Sequence, residues 1–218
     1  MNKIRMSVDI AMTVLSIILM GGNYLFPADI VHEILGVGLF LLWAVHITLN
    51  RRWYCAIFKG KYNPYRIMQT VINCSILICT LLLMISGIIL SNHVFTFLNI
   101  QGGLGFARIA HLLASHWYYL FMSLHIGLHV GMIANDKIIG SSPIMTLVVK
   151  SLLTLACIYG IYAFIARGVW KYLILRQQFF FFDLDRGYIL FAIDYISIII
   201  LFATLSHLLA KSLKKGKL

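Results

Sequence analysis

The chain has 218 residues, of which 61% are hydrophobic and only 11% charged, with a formal net charge of +11. An ordinary soluble chain is roughly 45–50% apolar, and a soluble domain of this length could not hide the excess, which is also expressed as a mean hydropathy of +0.91. Cytosolic enzymes, disordered chains and nucleic-acid modules are therefore excluded, and the Lys and Arg residues, which sit between apolar runs, read as membrane-topology signals.

A bilayer-spanning helix needs roughly 20 apolar residues. In chain order, six windows qualify: 7–26, 29–49, 68–90, 108–133, 144–166 and 188–210. The first carries Asp9 and no small-residue cleavage site, so it reads as a retained helix and not a signal peptide. The runs lack the period of two that barrel strands require. The expectation is an all-α membrane bundle of six helices forming a single domain over 1–218. Residues 91–107 hold Asn92, His93, Asn99 and the GGLG run and read as a flexible loop. Residues 167–187, RGVWKYLILRQQFFFFDLDRG, mix Trp, Leu and four Phe with charges and suit the headgroup plane before the last helix.

Basic residues set the direction. Lys3, Arg5, Arg51, Arg52, Lys59, Lys61, Arg66, Lys137, Lys150, Lys211, Lys214, Lys215 and Lys217 fall on one side, against Arg108, Arg167, Lys171, Arg176 and Arg186 on the other. The bias places both termini in the cytoplasm. Cys55, Cys74, Cys79 and Cys157 form no C-x-x-C and read as packing residues.

The histidines carry the chemistry. His32 and His46 in the second helix are 14 apart, as are His111 and His125 in the fourth. Fourteen residues at 100° each fall about 40° short of four turns, so each pair shares a face, separated by roughly 21 Å along the axis. The two helices run in the same direction, so the four side chains would make two facing pairs: His32/His111 near the outer face and His46/His125 near the inner one. Haem iron accepts two axial imidazoles. Two such pairs imply two b-type haems, held non-covalently because no C-x-x-C-H is present.

The other histidines read differently. His129 shares the face of His111 and His125 and is the alternative inner ligand, although the matched spacing favours His125; a propionate contact suits His129 better. His116 points about 140° away from His111. His93 reads as a loop residue that could meet a partner, and His207 as interfacial. Gly36, Gly38, Gly127 and Gly131 flank the ligands; Gly36 and Gly127 are candidate cofactor contacts, with ordinary helix contact the competing use. Asp9, Asp29, Glu33 and Asp194 are candidate proton relays, or caps and ion pairs with Arg108 or Arg186.

HEILGVGLFLLWAVHITLNRRWY at 32–54, ARIAHLLASHWYYLFMSLHIGLHVGMI at 107–133 and FFFFDLDRGYILFAIDY at 179–195 resemble the flavinylation-associated cytochrome family across nearly the whole chain. The family's histidines map to His32, His46, His111, His125 and His129. The resemblance implies a bacterial cytoplasmic-membrane cytochrome that passes electrons to an extracytoplasmic flavin-carrying or other redox protein. More distantly, the chain is similar to the cytochrome b subunits of formate dehydrogenases and nickel–iron hydrogenases. It has no flavin-attachment motif, so flavin would belong to a partner. The expected role is an electron-transfer subunit in contact with lipid, supplied by quinol or a cytoplasmic donor; quinone is a further candidate ligand. Two rivals stand beside it. One is a non-haem metalloenzyme using the H-x-x-x-H of His125 and His129. The other is a cofactor-free transporter or structural bundle.

Overall fold

The computed structural model describes residues 3–26, 28–133, 142–183 and 186–215. Lys137 and Lys217, two of the basic topology residues, lie outside them. Among the described residues the fold is all-helical, with no strand.

The helices are α1 (Lys3–Leu19), α2 (Asp29–Leu49), α3 (Arg51–Cys55), α4 (Pro64–Leu90), α5 (Leu104–Ile133), α6 (Pro143–Ala166), α7 (Val169–Leu173) and α8 (Gly187–Lys215). Local chemistry sets their ends. Asn63 caps α4 by accepting from Arg66 N at 2.9 Å, with Pro64 in the first turn. Ser142 does the same for α6 through Met145 N at 3.1 Å, ahead of Pro143. Gly168 takes the left-handed conformation (φ 63°) that stops α6 and lets α7 begin at once.

Two expectations are corrected here. The first window overshoots: α1 stops at Leu19, and Gly22, at φ 60°, opens a 3₁₀ turn over Gly22–Leu25. The 91–107 stretch does not begin as a free loop. The Glu33 carboxylate accepts from Ser91 Oγ at 2.6 Å and from the backbone N–H groups of Asn92, His93 and Val94 at 2.8, 3.2 and 2.9 Å. Glu33 is thus a clamp on that segment.

Four helices are long and apolar enough to cross a membrane: α2, α4, α6 and α8. α1 has 17 residues. α5 has 30, but four His and the Ser115–Tyr119 stretch dilute its apolar character. Large apolar side chains face outward along α2, α4 and α6, among them Leu41, Ile78, Ile85, Leu155 and Ile165. A water-facing surface would not carry them, whereas lipid accepts them without cost. The chain is a membrane protein by this measure.

α5 is the spine. It packs along α4 on one side and α8 on the other, and α6 closes on α8. The core lies at that junction, where Tyr118, Tyr119 and Met122 meet Ala163, Phe191, Tyr195, Ile198 and Ile199. α1 pairs with α2. Among the described residues α2 rests only lightly on α4 and touches α5 less still, leaving a gap between the two helices that carry the paired histidines.

Candidate functional site: two facing histidine pairs

α2 and α5 bring the predicted residues together in the predicted pairs. The rings of His32 and His111 lie 6.4 Å apart between centroids, inclined at 61°. Those of His46 and His125 lie 6.2 Å apart, inclined at 73°. These separations decide what the pairs can do. Two imidazoles bound to one metal through Nε2, at about 2 Å each, put their ring centres roughly 6 Å apart. Both pairs meet that requirement without movement of either helix.

A side chain positions most of these rings. His46 Nδ1 lies 2.8 Å from Asp9 Oδ1 on α1. His125 Nδ1 lies 2.8 Å from Asn73 Oδ1, and His111 Nδ1 lies 3.0 Å from Ser86 Oγ, both on α4. Fixing Nδ1 in this way leaves Nε2 as the nitrogen free to ligate and sets the ring plane. Asn50 Nδ2 approaches His46 Nε2, but at a long 3.4 Å. His32 is the exception: its buried Nδ1 makes no hydrogen bond among the described residues. Asp9 drew notice from the sequence as a charge inside a helix. Asn73 and Ser86 did not, because one polar residue in an apolar run carries no signal until the fold gives it a neighbour.

The His32/His111 pair opens on a cavity of about 580 Å³ between α2, α4 and α5. That lies inside the roughly 300–1,000 Å³ range of cofactor and ligand pockets. Its wall is apolar around Phe40 and Trp43, with Arg108 contributing a cation. Gly36 and Gly87 line it as well. A Cβ on Gly36 would meet nothing within 4 Å, so the missing side chain leaves open space.

The remaining candidates separate. His129 sits 4.6 Å from the His125 ring, beside the His46/His125 pair and within electrostatic reach of Asp9 and Lys214. Gly127 serves a helix crossing: a Cβ there would lie 2.1 Å from the Ala203 carbonyl oxygen on α8, so the close approach it permits is to protein. His116 is buried against α7, its ring stacked on Tyr172 at 4.2 Å and its Nδ1 2.8 Å from Leu112 O. His93 is exposed and His207 half-buried. Asp194 bonds Arg167 Nε at 2.7 Å, Tyr159 at 2.6 Å and Arg186 at 3.3 Å, so its partners include Arg186 and not Arg108. All four cysteines are free, and Cys55 is exposed, which corrects its reading as a packing residue.

No family model, curated protein or solved structure matches the chain. The residues therefore carry the functional argument alone. Among the described residues, no group of three or more His, Cys, Asp or Glu is arranged to hold a metal ion. A His-box metalloenzyme needs such a group. Axial ligation of a haem does not, since two side chains complete a coordination sphere whose other ligands belong to the macrocycle.

Proposed function

We propose that this protein is a transmembrane b-type cytochrome that holds two haems and carries electrons from one side of a bacterial cytoplasmic membrane to the other. The observation that carries the reading is the pair of His–His separations, 6.4 and 6.2 Å, at two depths of the same two helices. His32 and His111 are assigned to the outer haem, His46 and His125 to the inner one. When bound, each haem would supply a one-electron iron couple.

The chain's own residues do the rest. Asp9, Asn73 and Ser86 hold three of the rings in register and make those imidazoles better donors. The gap between α2 and α5, lined by Gly36, Phe40 and Trp43, admits a flat group and keeps lipid out. Arg108 offers the outer site a cation for carboxylate groups, and His129 with Lys214 offers a polar neighbourhood at the inner site. An aspartate on His46 and only a hydroxyl on His111 make the inner pair the more electron-rich one. That asymmetry favours flow from inside to outside.

In this reading α1, α2, α4, α5, α6 and α8 are six crossings, residues 167–187 lie along the outer surface, and both termini are cytoplasmic. The donor is quinol or a cytoplasmic reductant, and the acceptor is an extracytoplasmic redox protein. The test is haem retention in purified His32→Ala, His46→Ala, His111→Ala and His125→Ala. Each variant should lose one of two haems by absorbance, and an undiminished complement in any of them would remove that residue from the ligand set.

A further inference from the structure

A second cavity, of about 200 Å³, lies where α6 ends and α7 begins. Arg167, Lys171, Tyr172, Gln177, Phe180 and Asp183 are among its lining residues. Its walls hold more hydrogen-bond donors than the protein uses. The Arg167 side chain is 7% exposed, and its Nε bonds Asp194. Its Nη2, with two N–H donors, is buried and meets no acceptor among the described residues. Tyr172 OH accepts from Gln177 Nε2 at 2.8 Å and Phe181 N at 3.4 Å, and its own hydrogen is given to no described residue. Burial pushes this phenol above its ordinary pKa, so at neutral pH it remains a donor. The Lys171 ammonium rests near the Trp170 ring, 5.9 Å from its centre, with no carboxylate partner among the described residues.

The charges are unbalanced in the same sense. Among the described residues Arg167 and Arg186 share the single Asp194 carboxylate, which leaves one positive charge over before Lys171 is added. Asp183 is the one carboxylate in the cavity wall among the described residues; it is exposed, and one of its oxygens already accepts from Arg186 N at 3.2 Å. Buried donors left unmatched cost stability, and an unmatched buried guanidinium costs more than a neutral group. The gap calls for an oxyanion. The volume is below that of a drug-sized pocket and suits a headgroup-sized group. Arg167 directly follows α6, whose 24 residues run about 36 Å against a hydrocarbon core of about 30 Å. It therefore sits at headgroup depth, where phosphate is the prevailing anion.

We infer that Arg167, Lys171 and Tyr172 form a binding site for a phosphate oxyanion, met either by a phospholipid headgroup or by free phosphate. Nothing in this depends on haem. Yet the site adjoins the cofactor cavity: Phe180 lines both, and the Tyr172 ring stacks on His116, which lines the larger one.

The test uses the full-length chain in detergent after exhaustive delipidation, with unfolding followed by tryptophan fluorescence. It is titrated with inorganic phosphate and, separately, with dihexanoyl-phosphatidylglycerol, at constant ionic strength against chloride. A saturable rise in Tm is expected for at least one probe. Saturation by the lipid alone identifies a headgroup, and saturation by inorganic phosphate identifies a free-phosphate site. Lys171→Gln and Tyr172→Phe leave the Asp194 pair intact and should each weaken the apparent affinity at least fivefold. No rise above chloride, or a rise that both variants share undiminished, would overturn the site.

Discussion

Gly127→Ala puts the helix packing to a quantitative test. A Cβ at residue 127 would lie 2.1 Å from the Ala203 carbonyl oxygen and 2.8 Å from both the Ala203 carbonyl carbon and Cα, where 3.4 Å begins ordinary contact. The shortfall is 1.3 Å, and it is against backbone, which cannot rotate away as a side chain would. α5 and α8 must part by about that distance, along the interface where Tyr119 packs on Tyr195. Overpacking of this kind costs about 1–3 kcal/mol, and the rigid neighbour puts this case near 3. The gain in helix propensity from Gly to Ala offsets about 1 kcal/mol. The expected net loss is therefore about 2 kcal/mol. Gly38→Ala is the internal control: a Cβ there meets nothing within 4 Å and Gly38 does not line the cavity, so the same chemical change in α2 should be neutral or stabilising by up to about 1 kcal/mol. Reversible unfolding in mixed micelles, followed by circular dichroism, reads both. Gly127→Ala within about 0.5 kcal/mol of the parent, or equal effects at the two glycines, would refute the packing argument.

Other outcomes follow from the same geometry. Asp9→Asn removes the carboxylate from His46 and should raise the midpoint potential of one haem by roughly 50 mV, a figure for a half-exposed charge at high effective dielectric; spectroelectrochemical titration should show the second couple unmoved. His116→Ala should keep both haems, because that ring lies against Tyr172 and outside the facing pairs; loss of a haem by pyridine haemochrome would reassign it. Asp194→Asn leaves Arg167 and Arg186 sharing no carboxylate and should cost about 3 kcal/mol by chemical denaturation, far more than a surface substitution. Cys55 is the exposed cysteine and lies on the side assigned to the cytoplasm, so a membrane-impermeant maleimide should label it in inverted vesicles and not in right-side-out ones.

The parts of the fold that rest on local pattern were legible in the sequence. α2 runs over Asp29–Leu49, as expected, because its apolar run is bounded by the polar Asp29 and by Asn50–Arg51. α4 starts four residues before the expected Leu-, Ile- and Met-rich window because Asn63 and Pro64 supply a cap that apolar content does not register. α1 was overrun because Gly21 and Gly22 end the helix while the hydropathy stays high. The pairing of His32 with His111 and His46 with His125 was legible because equal 14-residue spacings put both histidines of each helix on one face at matching heights, so a rotation that turns one ring towards its partner brings the other with it. The groups behind those rings were not. Asn73 and Ser86 reach His125 and His111 from 52 and 25 residues away, and only the α4–α5 packing brings them there. Glu33 stands next to His32 in sequence yet serves Ser91 Oγ and the 92–94 backbone, a use that no spacing rule contains.

The central claim is that the two His pairs each hold a haem. The most direct measurement is a reduced-minus-oxidised absorbance spectrum of the purified full-length chain, with haem counted per polypeptide after expression with haem supplied. The account predicts a b-type spectrum and two haems per chain. A chain that is folded by circular dichroism and carries no haem would contradict it.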